Sequence, residues 1–549
     1  MDILGRIYNS KKEFIVDNKK ITINNLFVFI KGKIFNLESL CKKYKIISND
    51  QTKVVEELYQ KLGTKFINEL DGDFAIIIYD SYINKLYLIK DKLGSVFIYY
   101  YYDNNQIIFS TSLKLIMNHK NFKKKISKQV LANYLGYMYI YEPYTIFEDT
   151  YKLEKGTILT YENKKIKKNN YFNLYTEYKK IKKEKNIDDP KLIKDFTKLF
   201  NDSIKKRGNE KSQVGVFMSS GEDSTLLAKL ASKNFDKKVN TYTLGFENER
   251  DESKNAKIIA NYIGTKHHSI ILKDKDVIKT IKKVPLIYEE PFADPSIIPN
   301  IYLTENIKEK NDFYLTGEGN DAIFINASMY NIYNFYPRIK VFIKKIINIL
   351  NKKRVYHNFS EMAQVNVVNR FNYSDKIVGK KGKVYHLKRL KEPRRSTVIG
   401  DLNNTVSEKY KVKTSSLARY HNYDYYTPFY EVNILLKTFA IPSKKIYHNN
   451  HGKYIFRKIL HKNIPKKYYE NYKKNGFGIP IVDWMQRMML PEIKTLSKQD
   501  FIDKQNLFNY QELINLMNKF EKEPDYNKAV VLWCYYVFQL WYLENINTK

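Results

Sequence analysis

The feature that most constrains this chain is an apolar run that breaks off in small and hydroxyl residues and resumes with the spacing of a helix face. Residues 214–228 read Val-Gly-Val-Phe-Met-Ser-Ser-Gly-Glu-Asp-Ser-Thr-Leu-Leu-Ala, and Leu230 extends the stripe begun by Leu226 and Leu227. The spacing predicts a strand, a tight loop and a helix. Backbone N–H groups of such a loop, together with the positive end of the following helix, form a concave site for a phosphate or pyrophosphate. Ser219, Ser224 and Thr225 add hydroxyl donors, and Asp223 is a hard oxygen ligand suited to Mg²⁺. The loop has no Gly-Lys-Ser/Thr, so it is not a Walker loop.

The surrounding sequence alternates strands and helices. Residues 192–206 place Leu192, Phe196, Leu199, Phe200 and Ile204 at helical spacing, residues 239–246 read as a strand, 251–263 as an amphipathic helix, and 268–272 as another strand. That alternation predicts a parallel, doubly wound sheet, in which ligands gather at the carboxyl ends of the strands. Leu244 and Gly245 then lie beside the 219–225 loop. A further strand, Phe313-Tyr314-Leu315-Thr316, runs into the Gly-rich turn Gly317-Glu318-Gly319-Asn320-Asp321.

Residues 1–170 are of another kind. Short β-rich runs (21–23, 26–30, 74–79, 86–89, 96–102, 107–109) with one helical stretch over 54–66 predict stacked sheets with helices outside. A polar, Lys-rich segment over 171–190 reads as a linker. Cys41 and Cys534 give neither a disulfide framework nor a metal motif, and with no signal or lipidation motif at the N-terminus the expected location is the cytoplasm. Residues 529–543 are too short to span a bilayer and contain Gln539, so no membrane insertion is expected and a buried terminal helix is predicted. The charge of +36, from 95 Lys+Arg against 59 Asp+Glu, is dispersed, and it reads as a solvated Lys-rich surface rather than a nucleic-acid footprint. Residues 330–420 are basic and aromatic, with a helical patch over 341–350 and no motif.

Ser219-Ser220-Gly221-Glu222-Asp223-Ser224 resembles the Ser-Gly-Gly-x-Asp-Ser loop of the ATP pyrophosphatase superfamily, with Ser220 where the first glycine lies. Glu289-Glu290-Pro291-Phe292-Ala293-Asp294-Pro295-Ser296, Thr316-Gly317-Glu318-Gly319-Asn320-Asp321, His451-Gly452-Lys453 and Asn475-Gly476-Phe477-Gly478 with Trp484 follow in the order and spacing of the asparagine synthetase family. Ala322 and Ile325-Asn326 depart from its usual Glu and Gly-Gly. Leu70-Asp71-Gly72-Asp73-Phe74, Lys90-Asp91-Lys92-Leu93-Gly94 and Ser110-Thr111-Ser112 look like that family's glutaminase domain. The resemblance implies an α/β architecture. An N-terminal Ntn-hydrolase-like α/β/β/α sandwich (1–170) precedes a linker (171–190) and an ATP-pyrophosphatase synthetase domain (191–549) with a basic insert at about 330–420.

It also implies ATP and Mg²⁺ as cofactors. Met218, Ser219, Gly221, Asp223, Ser224, Thr225, Leu244, Gly245, Gly317, Glu318 and Asp321 would bind the nucleotide, Asp223 and Asp321 would hold the metal, and Glu318 and Lys453 would be catalytic. The chemistry implied is adenylation of a carboxylate, release of pyrophosphate and attack by an amine. The family's nucleophilic cysteine is replaced by Asp2, and Lys31-Gly32-Lys33 stands for its Asn-Gly-Glu, so a domain without glutaminase activity is expected. Relatives that have lost the cysteine, the β-lactam synthetases and lasso-peptide macrolactam cyclases, use an amine already on the substrate. A peptide cyclase, working with a precursor-peptide protease and a recognition protein, is therefore the expected activity. Ammonia-dependent asparagine synthesis is the alternative, with an RNA-modifying enzyme or an inactive scaffold behind it.

Overall fold

A computed structural model of the chain describes residues 1–8, 11–23, 25–184, 187–247, 251–324, 365–384, 409–448, 452–468 and 479–547. Two compact units are present, one of Met1–Ser127 with Tyr141–Lys180, the other of Lys128–Ile140 with Ile181–Lys549. Among the described residues, the first unit holds two antiparallel sheets. Strands β1 (Ile3–Tyr8), β2 (Lys11–Val16), β3 (Lys19–Ile21), β7 (Tyr99–Tyr102), β8 (Gln106–Ser110) and β9 (Thr150–Lys152) run in the order β3-β2-β1-β8-β7-β9. Strands β4 (Leu26–Ile34), β5 (Gly72–Asp80), β6 (Lys85–Lys90), β10 (Thr157–Glu162) and β11 (Lys165–Asn170) run β11-β10-β6-β5-β4.

The alternation of side chains explains why the middles of β5 and β6 are apolar without a break. Ala75, Ile77, Tyr79, Leu86 and Leu88 face one core shared with Ile3, Ile7, Phe14, Ile107 and Phe109 of the other sheet. Phe74, Ile76, Ile78, Tyr87 and Ile89 face a second core with Leu40, Val54, Val55 and Leu58 of the covering helices Leu37–Tyr44 and Gln51–Leu62. A strand buried on both faces has no polar side. This is the sandwich expected for an Ntn-hydrolase-like unit.

In the second unit β12 (Val214–Phe217), β13 (Asn240–Phe246), β14 (Lys266–Leu272), β15 (Phe313–Thr316) and β16 (Asp424–Tyr426) form a parallel sheet ordered β14-β13-β12-β15-β16. The chain winds outward through β13 and β14, then continues on the other side of β12, so strand order reverses between β12 and β15. Loops leaving the carboxyl ends of those two strands diverge and open a crevice there. The helix Asp189–Lys205, capped by the Asp188 carboxylate on the Lys191 amide and carrying Pro190 in its first turn, buries Leu192, Phe196, Phe200 and Ile204.

Residues 529–543 lie inside the helix Tyr526–Asn545, which is buried over most of its length. Trp533 Nε1 donates to the Ala293 carbonyl at 2.8 Å and Trp541 Nε1 to the Glu289 carbonyl at 3.0 Å, so this helix holds the 289–296 loop. Among the described residues, no helix is long and apolar enough to cross a membrane. Several elements differ from the sequence expectations. The helix expected over 54–66 is α-helical over Gln51–Leu62 and tightens to a 3-10 turn over Gly63–Glu69, and the polar 171–190 segment contains the helix Leu174–Lys180. The helical patch at 341–350, most of the basic 330–420 region, Ile325-Asn326, His451 and residues 475–478 lie outside the described residues.

Candidate active site

The loop after β12 is held by its own serines. The Ser219 amide donates to Ser224 Oγ at 3.0 Å, the Gly221 amide to Ser219 Oγ at 3.1 Å, and the Ser224 hydroxyl lies 3.1 and 3.2 Å from the Ser219 and Gly221 carbonyls. Thr243 Oγ1 donates to the Met218 carbonyl at 2.6 Å and ties the loop to β13. Gly221 caps the helix Glu222–Asn234, whose first-turn N–H groups lack intrahelical acceptors, as in any helix. At Gly317 a Cβ would stand 3.0 Å from the Cβ of Asp223, so a glycine lets the loops after β12 and β15 close on each other.

Between these loops lies a triad. Lys453 Nζ sits 2.7 and 2.6 Å from the two Asp223 oxygens and 2.6 Å from Asp321 Oδ1. Asn320 Nδ2 donates to Asp223 Oδ1 at 2.5 Å. Lys453 is 5% exposed, and its backbone is left-handed, with φ 58° and ψ 29°, at the start of the helix Tyr454–Asn463. A non-glycine residue in that conformation is held there by its surroundings. Burial disfavours the ammonium, but Asp223 and Asp321 more than reverse this and raise its pKa above the ordinary lysine value. One helical turn on, Arg457 Nε donates to Glu222 at 2.7 Å, which accounts for the acidic residue beside Asp223.

A cavity of about 330 Å³ opens at the carboxyl ends of β12, β13 and β15. Ser219, Gly221, Asp223, Ser224, Leu244, Gly317, Glu318 and Asp321 line it, so eight residues expected from the sequence meet on one wall. Lys453 reaches that wall through its two aspartates. Met218, Thr225 and Gly245 do not line it: Met218 and Thr225 are buried, Thr225 Oγ1 without a hydrogen-bond partner, and Gly245 packs under Asp251. His267 and His268 lie in β14 away from the cavity, His267 against Thr241 Oγ1 at 3.0 Å and His268 stacked on Tyr242. Burial, with His268 and Lys257 nearby, pulls His267 down to about 4.

The lysines and tyrosines beside Glu318 were not expected from the sequence, although the 289–296 loop they meet was. Lys413 Nζ lies 2.5 Å from Glu318 and 3.2 Å from Ser296 Oγ, while Lys409 Nζ lies 3.2 Å from the buried Asp294. Burial works against Asp294, yet Lys409 and Lys413 hold its carboxyl below the ordinary aspartate range. Burial also works against the Lys413 ammonium, and Glu318 and Asp294 reverse it. Tyr425 OH donates to Glu318 at 3.3 Å, and Tyr410, Tyr423 and Phe217 with the aliphatic Leu417 complete an apolar wall. A charged end beside an apolar wall suits a ligand with a polar head.

Whether a divalent cation fits can be judged on the donors. Among the described residues, no group of three or more His, Cys, Asp or Glu comes together. Asp223 and Asp321 are two hard carboxylates already bridged by an ammonium, so the place between them accommodates positive charge. They suit a Mg²⁺ that brings its other ligands with phosphate oxygens.

In the first unit the Asp2 carboxylate pairs with Lys31 Nζ at 2.5 Å and accepts from Thr111 Oγ1 at 2.7 Å. Lys33 follows on the exposed end of β4. Cys41 donates to the Ser48 carbonyl at 3.3 Å at the end of its helix.

A family model described as asparagine synthase matches residues 195–543, and one described as a glutamine amidotransferase domain matches residues 17–172. A Methanocaldococcus jannaschii protein, provisionally named a glutamine-hydrolyzing asparagine synthetase, is 33% identical over 307 residues, 55% of this chain and 58% of its own length. The glutamine-hydrolyzing asparagine synthetase 1 of Bacillus subtilis is 23% identical over 560 residues, covering 95% of this chain and 86% of the relative. Asparagine synthetase 3 of the same organism is 22% identical over 318 residues, 54% of this chain and 51% of its own.

Proposed function

The chain belongs to the asparagine synthase family of ATP-dependent amide-forming ligases, and from that premise we propose that it adenylates a carboxylate and passes the acyl group to an amine already carried by the substrate. The observation that carries the adenylation half is the meeting of Asp223, Asp321 and Lys453 with Glu318 at one switch-point cavity. Asp223 and Asp321 would hold Mg²⁺, which when bound neutralises charge on the departing pyrophosphate. The first-turn amides after Gly221 and the Ser219 hydroxyl receive phosphate oxygens. Lys453 offsets negative charge at the acyl centre, and Glu318, set by Lys413 and Tyr425, accepts the proton of the attacking amine.

The amine-on-substrate half rests on the first unit. Asp2 and Lys31 form an ion pair where the family's resemblance puts a thiol nucleophile and an amide donor. Such a pair supplies neither a nucleophile nor a neutral oxyanion donor, and ammonia from glutamine is then not on hand. The specific form of this proposal is a lasso-peptide macrolactam cyclase: an Asp or Glu side chain of a core peptide is activated and the peptide's N-terminal amine closes the ring. The second reading is asparagine synthesis from aspartate and ammonia, favoured by the names of the relatives and by a carboxylate at Glu318. Pyrophosphate release by the purified full chain, with Mg·ATP and either aspartate plus ammonia or candidate precursor peptides, decides between them. Release with the peptide and cyclised product by mass spectrometry is expected, whereas turnover with free aspartate and ammonia alone would sink the cyclase.

A further inference from the structure

Lys453 is assigned a duty at the acyl centre that its contacts do not leave it free to perform. An ammonium has three protons. Three carboxylate contacts, at 2.7, 2.6 and 2.6 Å to Asp223 and Asp321, occupy all of them. The backbone at this residue is pinned: its amide donates to the Phe324 carbonyl at 3.0 Å, and its φ lies in the left-handed region. The side chain, by contrast, is a flexible four-carbon stem. Its carboxylate partners differ in access, since Asp223 is 13% exposed and braced by Asn320, whereas Asp321 is 37% exposed on the cavity side. The triad is therefore closed at its base and open toward the cavity.

Resting on the adenylation reading above, we propose that this triad is the resting state of a cation exchange. The ammonium already takes three of the four oxygens of these carboxylates, so a divalent cation binding there competes with it for acceptors and repels it at close range. A cation arriving with the nucleotide at Asp223 and Asp321 expels the Lys453 ammonium. Pivoting on its fixed backbone, the side chain then turns toward the substrate. Lys453 is thus withheld from the reacting centre until the metal and nucleotide are in place, and the two aspartates couple loading to readiness. Without the exchange, a carboxylate substrate entering first would meet no free cation at this wall.

Two measurements on the full chain test this. Mn²⁺ alone, titrated and read by electron paramagnetic resonance, is expected to bind Lys453→Met at least about tenfold more tightly than the unsubstituted protein, because no ammonium has to leave. Amine labelling read by mass spectrometry needs no variant: Lys453 is expected to be protected in the free protein and labelled with Mg²⁺ and α,β-methylene-ATP present. Equal Mn²⁺ affinity in the two proteins, or labelling that the metal and analogue leave unchanged, overturns the exchange; if Lys453→Met does not fold, the labelling decides. Failure of the adenylation reading shows separately, as absent pyrophosphate release with every carboxylate, and leaves both comparisons readable.

Discussion

Ser220 stands where the pyrophosphate loops of related sequences have glycine, and its surroundings explain why a side chain is tolerated. It is not among the residues of positive φ, and its hydroxyl donates to Glu252 at 2.8 Å in a buried contact. The small side chain points to a partner rather than into the path of a phosphate. Ser220→Gly removes a hydrogen bond to a charged acceptor, so unfolding by urea is expected to cost about 1–3 kcal/mol less. ATP affinity by calorimetry should change by no more than about threefold, since the loop's own bonds run through Ser219 and Ser224. A tenfold gain in ATP binding would mean that Ser220 obstructs the site. Lys413 poses the opposite case. Its removal strands Glu318 on a buried wall, so Lys413→Met is expected to lower pyrophosphate release by about 100-fold or more, with Lys413→Arg recovering part of it and ATP affinity little changed in either. Asp223, Glu318 and Asp321 were legible in the sequence because each sits in or just after a short run of small residues between a strand and a helix. Lys409 and Lys413 were not, because in a chain with 95 basic residues a functional lysine has the same surroundings in sequence as a solvated one.

Strand-level features divide along the same physical line. β5, β6 and β8 were readable because burial on both faces makes them continuous apolar runs. β1 and β2 were not, since only alternate residues of β1 are buried and β2 carries Lys11, Lys12 and Glu13. Gly5 in β1 has the Phe109 ring where a Cβ would stand, so its place in the core shows only in three dimensions. The end of β6 carries a charged cluster the sequence also hid: the buried Lys90 pairs with Glu142, whose other oxygen lies 3.4 Å from Lys155. Burial alone would raise the Glu142 carboxyl, but the charges of Lys90 and Lys155 reverse this and bring it down to about 2 from an ordinary 4.5. A carboxyl lowered in the folded state stabilises fully above its unfolded value and loses that contribution as pH falls. Hydrogen-exchange protection of β6 and β10 is therefore expected to fall between pH 4.5 and about 2. Glu142→Gln should flatten that limb while lowering stability near neutral pH by about 3–5 kcal/mol, because Lys90 is left buried and uncompensated. A pH limb unchanged in Glu142→Gln would assign the acid sensitivity to other carboxyls.

At the scale of the molecule, collinear order carried most of what could be read. Loops about a hundred residues apart in sequence, after β12 and β15, converge because strand order reverses between them; alternation of strand and helix was enough to expect a ligand at the carboxyl ends of the strands, while the family's loop order brought 317–321 to it. Where the cores divide was harder to see: the helix Lys128–Tyr137 packs within the second unit although its sequence lies among first-unit strands, since a buried helix carries no mark of the core it joins. The match of residues 17–172 to a glutamine amidotransferase domain makes hydrolysis of glutamine the natural default for the whole chain, and the proposal of an amine carried by the substrate departs from it. Lys31 places a full positive charge where an amide dipole is expected, and that charge is already paired with Asp2 at 2.5 Å. Lys33 puts a second ammonium where the resemblance puts a carboxylate. Asp2, acceptor of the Thr111 hydroxyl, is neither a thiol nor placed beside an activating base. Incubation of the full chain with glutamine, with and without Mg·ATP and the carboxylate substrate, is expected to release no glutamate above a protein-free blank. Glutamate release above that blank would overturn the proposal that the amine comes from the substrate, and would return the first unit to the role its fold suggests.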